Sequence, residues 1–390
     1  MNPLLERLGG NPLAAIQDLK LQMVADGVVL HDFSVGDPIE PTPEQVRNAL
    51  VSSIPEISQY PTVNGVAELR EAVAGWVSRR FGVTVDPDRE VLPTSGSKEA
   101  IFHLPFAVVD PAESKRATVW GSPGYPIYAR GALYAGGESD PVTLSDETGW
   151  RLRLGELDAE RLDRAAIAWL NTPHNPTGSV LDLDDLREAL AVARAHGVVL
   201  ASDECYADLY PGSARPASVL EAADGDLTGV VVAFSCSKRS GMTGYRSGAL
   251  VGDAALLDAQ RVLRRDTGSA SPEFVQRAAV AAWSDDGHAA ERRAVFDAKE
   301  QVVRRFLAER GIPVRGDATF YLWIAAPGGD DERYAKALLR AGVVVTPGRA
   351  FGSAGQGWIR LALVPSLEGC RAAVERWGQA IDSGALPGHG

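Results

Sequence analysis

Short apolar runs alternate with longer segments of helical spacing through the middle of the chain. The runs predict buried strands at Ala117–Trp120, Ala166–Leu170, Val198–Ala201, Val230–Phe234 and Ala249–Val251. Among the intervening segments, Asp182–His196 predicts a helix, because Asp182, Asp184 and Asp185 put negative charge at its N-terminal end, where the helix dipole favours it. Apolar strands separated by helices are typical of a parallel or mostly parallel α/β sheet.

The pattern changes after about Asp266, where charged helices interleave with shorter strands. The predicted elements are helices at Ala289–Arg310, Asp331–Ala341 and from Ser366, and strands at Phe320–Ala325, Val343–Val345 and Trp358–Val364. This mixture predicts a smaller α+β domain. We therefore predict an N-terminal arm with part of the small domain at residues 1–40, a large domain at 41–285, and a small C-terminal domain at 286–390.

Composition narrows the class of protein. The chain has 390 residues and a net charge of −12, which argues against nucleic acid or an anionic membrane as partner. Three widely spaced cysteines without a CxxC pair predict neither a disulfide framework nor a zinc site. The N-terminus lacks the apolar run of a secretory signal, and no stretch is long and apolar enough to span a membrane. We expect a soluble, cytoplasmic protein without a bound metal.

Lys238 is the first candidate for chemistry. It follows the apolar strand Val230–Phe234 and would emerge at the carboxyl edge of the sheet, where ligand sites of α/β proteins form. Burial and neighbouring cations lower the pKa of a lysine, and the neutral amine then attacks a carbonyl. An ordinary solvated lysine is the alternative for this residue alone. The accompanying Ser235, Ser237 and Arg246 favour the reactive interpretation.

Two further segments carry groups that suit an anion and an aromatic ring. The segment Ser95-Gly-Ser-Lys-Glu99 opens a predicted helix, so that its backbone N–H groups point at an anion site, although a simple helix cap would look the same. Arg246 offers a planar fork for the same anion. Asp203 follows the strand Val198–Ala201 and could keep a pyridine nitrogen protonated, although it could also be a turn former.

The remaining candidates would orient a ring and a substrate. Asn175 and Tyr206 could hydrogen-bond an oxygen on the ring, and Tyr125, in a Pro/Gly turn, could stack on its face or simply pack. Arg360 is a charge within an apolar strand pattern, which requires a partner such as a substrate carboxylate, or else an edge position beside a surface acid. Together these groups are those required to bind a phosphorylated pyridine aldehyde covalently.

The ordered patterns resemble those of fold-type I pyridoxal-phosphate enzymes of the class I/II aminotransferase family. They are NxxxNPTG at 171–178, DExY at 203–206, SxSK(x)₇R at 235–246 and RLAL at 360–363. The resemblance implies a mostly parallel seven-stranded sheet between helices, beside a smaller α+β domain. It implies that pyridoxal 5′-phosphate forms a Schiff base with Lys238, which moves the substrate proton. By the same resemblance Asp203 pairs with the ring nitrogen and Arg360 binds the substrate carboxylate. The groups that the resemblance implies for the phosphate are Ser97, the backbone N–H of Lys98, Ser235 and Arg246.

Other segments imply a homodimer with active sites at the subunit interface. Gln59–Gly65 resembles the family segment whose tyrosine reaches the phosphate of the neighbouring subunit, which makes Tyr60 a cross-subunit ligand. Gly36 resembles the glycine whose backbone lines the substrate pocket. A turn is the alternative for both.

Within the family, several segments look most similar to bacterial succinyldiaminopimelate aminotransferases. Examples are Gly96–Ala100, Phe320–Trp323 and Ile359–Val364. This implies ping-pong transamination between glutamate/2-oxoglutarate and an N-succinylated diaminopimelate/keto-pimelate pair in lysine biosynthesis. An aminotransferase of aspartate, aromatic or other amino acids, and a pyridoxal-phosphate C–S β-lyase, remain alternatives on the same scaffold. A binding-only module and a nucleotide-dependent oxidoreductase are disfavoured, the latter because no GxGxxG follows a strand.

Overall fold

A computed structural model of the chain describes residues 3–8 and 14–387. Its α-helices, in chain order, are α1 (Pro3–Leu8), α2 (Ala14–Ala25), α3 (Glu44–Ser52), α4 (Ala67–Phe81), α5 (Ser97–Val108), α6 (Ile127–Tyr134), α7 (Ala159–Arg164), α8 (Leu183–Ala195), α9 (Val219–Ala222), α10 (Cys236–Arg239), α11 (Ala254–Thr267), α12 (Glu273–Ser284), α13 (Gly287–Glu309), α14 (Asp331–Arg340) and α15 (Leu367–Asp382). The strands are β1 (His31–Asp32), β2 (Val91–Thr94), β3 (Ala117–Ser122), β4 (Glu138–Thr143), β5 (Ala165–Asn171), β6 (Val199–Asp203), β7 (Val230–Ser235), β8 (Gly248–Gly252), β9 (Val314–Arg315), β10 (Tyr321–Ala325), β11 (Val343–Val344), β12 (Thr346–Pro347) and β13 (Trp358–Ala362).

The largest sheet has seven strands in the order β2-β8-β7-β6-β5-β3-β4. Its strands are parallel apart from β8, which runs antiparallel to both β2 and β7. The carboxyl ends of β5, β6 and β7 therefore meet at one edge. The predicted mostly parallel seven-stranded sheet is confirmed.

Both faces of this sheet are covered, which explains why its strands are continuously apolar. Val230, Val232 and Phe234 of β7 pack into the hydrophobic cluster that also contains residues of α4, α8 and α12. Val231 and Ala233 alternate with them and pack on the other face, in the cluster that contains residues of α5, α6 and α11. Because successive side chains point to opposite faces, one apolar run serves two cores.

The end of the chain forms a second sheet with its own core. Its strand order is β12-β13-β10-β9, with every pair antiparallel. The first strand of the chain joins this region, since β1 pairs in parallel with β11 through His31 to Val343 and Asp32 to Val344. A hydrophobic cluster combines Phe33 with residues of α13, α14 and α15. The domain boundaries at residues 40/41 and 285/286 remain predictions.

Two strands of the large sheet lie outside the predicted set. The edge strand β4 is half-exposed and polar, so it has no apolar run that would indicate a strand. The other, β2, contains Pro93 and is fully buried, pairing only with β8. Within the described residues, no helix is both long and apolar enough to cross a membrane.

Candidate active site

A cavity of about 470 Å³ opens at the carboxyl edge of the large sheet. Its lining includes every predicted site residue apart from Tyr60. The lining residues are Val35, Gly36, Ser97, Lys98, Tyr125, Asn175, Asp203, Cys205, Tyr206, Ser235, Ser237, Lys238, Thr243, Arg246, Tyr321 and Arg360. The sequence patterns, which lie far apart along the chain, therefore meet in one cavity.

Lys238 lies in the short helix α10, directly after β7. Its Nζ donates a hydrogen bond to the backbone carbonyl of Gly36, which comes from the N-terminal part of the chain. Burial, aided by the positive charges of Arg360 and Arg246, lowers the pKa of Lys238 to about 8, against the opposing effect of Asp37 and Cys205. About one tenth of this amine is therefore neutral at pH 7, far more than for an ordinary lysine, and a nucleophilic lysine requires the neutral form.

Asp203 lies at the end of β6 and is buried. Its Oδ2 accepts from the hydroxyl of Tyr128 at 2.8 Å, and its Oδ1 accepts from the Cys205 thiol at 2.6 Å and the Cys205 N–H at 3.3 Å. Burial raises the pKa of Asp203, whereas these three donors lower it. A buried carboxylate at this position suits a protonated ring nitrogen as partner.

The N-terminus of α5 and Arg246 lie together on one side of the cavity. The residue before α5 is Gly96, with φ of 82°, and a Cβ at this position would overlap the Arg246 guanidinium. Arg246 itself has φ of 60°, and its Nη1 donates to the carbonyl of Thr243 at 2.8 Å. Backbone N–H groups at a helix start and a nearby guanidinium make a phosphate site. Ser97 and Ser235 line the same cavity.

Arg360 lies in β13, in the second sheet, and is buried. Its Nη1 donates to Oδ1 of Asn175 at 2.9 Å and its Nη2 donates to the carbonyl of Ser34 at 2.7 Å. Its charge lies over the rings of Tyr321 and Phe351, at 4.4 and 4.6 Å from their centroids. Burial lowers the pKa of Arg360 without a carboxylate partner among these contacts. This guanidinium can therefore bind an incoming carboxylate.

Asn175 and Tyr206 line the same cavity as the Asp203 carboxylate and the Arg360 guanidinium. Because Oδ1 of Asn175 accepts from Arg360, the amide nitrogen is the side that can donate to a ring oxygen. The Tyr206 hydroxyl lies 3.1 Å from the Tyr321 hydroxyl. A Cβ at Gly36 would overlap that Tyr321 hydroxyl, so glycine is needed where the N-terminal segment crosses the cavity.

Sequence reasoning missed several residues of this site. Tyr128 contacts Asp203, and Tyr321 contacts Tyr206. Cys205 contacts Asp203 and also Ser97, whose Oγ lies 3.2 Å from the Cys205 sulfur. A signal existed for Cys205, since it lies inside the DExY pattern. Tyr128 lies on a helix and is indistinguishable from a packing tyrosine in the sequence.

Tyr60 is the exception among the predicted residues. It precedes α4 and does not line the cavity, and its side chain is fully exposed. Within one chain the structure therefore does not bring Tyr60 to the site.

The residues present fit pyridoxal 5′-phosphate. A partly buried lysine of lowered pKa, a buried carboxylate and a helix start beside an arginine line one cavity at the carboxyl edge of a mostly parallel sheet. The glycine at position 96 leaves room beside Arg246 that a side chain would fill. These features define the class as a fold-type I pyridoxal-phosphate enzyme.

Comparison with known proteins gives the family. Residues 29–376 match the sequence profile described as "Aminotransferase class I and II". The chain is 36% identical over 367 residues to an LL-diaminopimelate aminotransferase of Syntrophobacter fumaroxidans, covering 93% of this chain and 94% of that one. A crystal structure of an aminotransferase from Neisseria meningitidis superimposes with a TM-score of 0.90 at 34% identity, covering 97% and 99% of the two chains. The chain belongs to the class I and II aminotransferases, which use pyridoxal 5′-phosphate.

A more distant structural relative supports the same family. The aspartate aminotransferase of Thermus thermophilus, solved as a double mutant, has a TM-score of 0.88 at 26% identity and covers 97% of this chain. The sequence relative from Aquifex aeolicus, 34% identical over 93% of this chain and 94% of its own, is also named LL-diaminopimelate aminotransferase. The relatives from Syntrophobacter fumaroxidans and Aquifex aeolicus are named for diaminopimelate itself, which differs from the succinyldiaminopimelate subfamily that the sequence segments resembled.

Capture of the cofactor by the cofactor-free protein is expected to accelerate as the pH rises towards about 8 and then to level off. Only the neutral amine attacks the aldehyde, and with a pKa of about 8 for Lys238 roughly one tenth is neutral at pH 7. Stopped-flow absorbance of pyridoxal phosphate after mixing measures the rate. Free Nα-acetyl-lysine, with an unshifted pKa, is the control and should keep accelerating well above pH 9. A protein profile that parallels the free lysine would contradict the lowered pKa.

Proposed function

We propose that Lys238, Asp203 and Arg360 carry the chemistry of an amino-group transfer in this cavity. The cofactor would be held by Ser97, Lys98, Tyr125, Asn175, Asp203, Tyr206, Ser235, Ser237, Lys238 and Arg246, with Tyr60 supplied by a partner subunit. When bound, pyridoxal phosphate supplies a covalent attachment point for the amine and an electron-withdrawing ring. The chain must then orient the substrate and move its protons.

Lys238 acts as the base in this proposal. Its Nζ would remove the proton from Cα of the substrate and deliver one to the former aldehyde carbon of the cofactor, which the lowered pKa supports because the amine spends time neutral. Asp203 holds the ring nitrogen protonated through its buried carboxylate. Tyr206 and the amide nitrogen of Asn175 bind the ring oxygen, and the backbone of Gly36 lines the substrate side.

Arg360 binds the α-carboxylate and so fixes which bond of the substrate lies next to Lys238. The contacts with Asn175 and Ser34 hold the guanidinium in place before the substrate arrives, so that little ordering is left for the binding step. The rings of Tyr321 and Phe351 exclude water from one side of the pair formed by the guanidinium and the substrate carboxylate, which strengthens the attraction between the two charges.

For the substrate, we propose LL-diaminopimelate, with glutamate and 2-oxoglutarate as the other amino acid/keto acid pair, in lysine biosynthesis. The carrying observation is the 36% identity over 93% of the chain to a relative named for that activity. The N-succinylated form is the second candidate, because the sequence segments resemble the succinyldiaminopimelate enzymes.

Charge at the cavity favours the free diamino acid over the succinylated one. Asp37 follows Gly36 of the cavity lining, and its negative charge raises the pKa of Lys238. The distal end of free diaminopimelate carries an ammonium group beside its carboxylate and so has no net charge, and Asp37 would attract the ammonium group. Succinylation removes that positive charge and adds a carboxylate, which Asp37 would repel.

A half-reaction panel tests the substrate. The cofactor-loaded enzyme is mixed with single amino acids without an acceptor, and the absorbance of the bound cofactor is followed. We expect rapid change with LL-diaminopimelate and glutamate. In the Asp37→Asn variant only the diaminopimelate reaction should weaken, by about 2- to 5-fold in kcat/KM, as loss of one exposed charge pair allows. Faster reaction with the succinylated compound, aspartate or an aromatic amino acid would overturn the substrate proposal. Release of ammonia and pyruvate from a cysteine conjugate would favour a C–S β-lyase.

We propose a homodimer in which each subunit completes the other's site. Several exposed apolar side chains accompany Tyr60 in the segment after α3, among them Ile54 and Ile57, and Val35 and Ile39 beside Gly36 are exposed as well. Exposed apolar side chains of this kind suit a subunit interface. The three cysteines, which form no disulfide, also support a reducing cytoplasm as the place of action.

Complementation tests the shared site. Tyr60→Phe is expected to weaken cofactor binding by about 10-fold or more, because it removes one hydrogen bond to a phosphate. Tyr60→Ala and Lys238→Ala chains, each poorly active alone, should regain activity when mixed under conditions that exchange subunits. If Tyr60 acts across the interface, each mixed dimer has one site with both residues, giving about a quarter of wild-type activity in a statistical mixture. No gain on mixing would mean that Tyr60 acts in its own subunit or not at all.

A further inference from the structure

Both oxygens of Asp203 are hydrogen-bonded by side chains that the proposed chemistry does not use. The Tyr128 hydroxyl donates to Oδ2 at 2.8 Å, and Cys205 donates to Oδ1 from its thiol at 2.6 Å and from its backbone N–H at 3.3 Å. Burial raises the pKa of Tyr128 and of Cys205 well above their ordinary values. Both side chains therefore keep their protons and act as donors.

These donors oppose the cost of burying the carboxylate. Burial favours the neutral acid, whereas hydrogen bonds to the charged form favour the carboxylate. For Asp203 burial raises the pKa more than the Cys205 and Tyr128 bonds lower it, so the charged form depends on each bond. A neutral acid could no longer keep a ring nitrogen protonated by ion pairing.

The same two residues connect Asp203 to other parts of the site. The Tyr128 ring stacks on Trp169 of β5 at 5.1 Å between centroids and contacts the ring of Tyr125 edge-on at 5.9 Å. The sulfur of Cys205 lies 3.2 Å from Oγ of Ser97 at the start of α5. The position of the carboxylate is thus tied to the helix start that forms the phosphate site.

We propose that Tyr128 and Cys205 are positioning residues that keep Asp203 ionised and oriented towards the cofactor ring nitrogen. The inference rests on the proposed role of Asp203. The charge of Asp203 raises the pKa of titratable side chains in the loop before α6, in α6, in the segment after β6 and in β10; they are Tyr125, Tyr128, Cys205, Tyr206 and Tyr321. Among these, Tyr128 and Cys205 are the ones whose side chains hydrogen-bond the carboxylate.

Four variants separate positioning from a general effect on stability. Tyr128→Phe keeps the stacked ring and removes one donor, Cys205→Ala removes a second, and Cys205→Ser restores a donor. Tyr334→Phe is the matched control, since its hydroxyl is also in a buried contact, with Trp377 at 3.0 Å, outside the cavity. The readouts are the pH dependence of the bound cofactor's absorbance and the dissociation constant of pyridoxal phosphate.

We expect Tyr128→Phe and Cys205→Ala each to weaken cofactor binding by about 10-fold. We also expect each to shift the pH at the midpoint of the bound cofactor's absorbance change. We expect Cys205→Ser to lie close to wild type, and Tyr334→Phe to change only the thermal unfolding midpoint. An unchanged midpoint and dissociation constant in both Tyr128→Phe and Cys205→Ala would overturn the inference. Asp203→Asn tests the role of Asp203 separately from the positioning role of Tyr128 and Cys205. If this variant also leaves the absorbance unchanged, the proposed role of Asp203 is wrong as well.

Discussion

Replacing Lys238 with alanine is expected to lower kcat for amino-group transfer by about 10⁴-fold, at the upper end of what a positioned base contributes. The variant loses both the amine that binds the cofactor aldehyde and the base that moves the Cα proton. The fold should persist, because the change removes a buried charge and leaves the short helix α10 in place. Steady-state assay with glutamate and the absorbance spectrum of the purified protein measure the two effects.

The controls for Lys238 address charge and general perturbation. Lys238→Arg keeps a cation, but its guanidinium stays protonated and cannot act as base, so it should be as inactive as the alanine variant. Lys336→Ala, which removes a lysine paired with Glu332 on α14, should retain activity. More than a few per cent of wild-type turnover in Lys238→Ala would refute the proposed role.

Replacing Arg360 with alanine is expected to lower kcat/KM for α-amino acids by about 10²- to 10³-fold. Removing one partner of a buried charge pair costs about 2–5 kcal/mol, and the contacts of Arg360 with Asn175 and Ser34 are lost too. Arg360→Lys should recover part of the loss, since it keeps the charge without the planar fork. The measurement is kcat/KM for glutamate.

A substrate without a carboxylate sharpens this test. A simple primary alkylamine does not need the guanidinium, so its slow reaction with the bound cofactor should be unchanged in Arg360→Ala. Arg310→Ala is the matched protein control, because Arg310 also lies over a ring, that of Phe306 at 4.6 Å, but outside the cavity. Equal losses for the amine and the amino acid would show that Arg360 supports the cavity rather than the carboxylate.

Much of the fold could be predicted because the buried strands carry the clearest sequence signal. The run Val230–Phe234 becomes β7 with one residue added, since both of its faces are covered. The helix predicted at Asp182–His196 becomes Leu183–Ala195, in which Asp182 caps the N-terminus and Asp185 bonds back to the Asp182 N–H. Where burial on both faces is missing, as in the half-exposed β4, the signal disappears.

The site residues that could be identified from the sequence are likewise those that follow a buried strand. Lys238 and Asp203 could be placed because each follows a recognisable buried strand, and parallel strands bring their carboxyl ends together. Tyr128 could not be identified from the sequence, because its proposed role depends on a contact with Asp203, which lies 75 positions away. Tyr60 shows a different difficulty, since its proposed role requires a second chain.

The contact between Arg360 and the carbonyl of Ser34 joins residues 326 positions apart, whereas the groups proposed to hold the cofactor, apart from Tyr60, lie between Ser97 and Arg246. During synthesis on the ribosome, the middle of the polypeptide can therefore assemble its phosphate and ring contacts well before the guanidinium has left the exit tunnel. On the proposed role of Arg360, recognition of the substrate carboxylate is then the last property that the nascent enzyme acquires, and a chain released before position 360 would lack it.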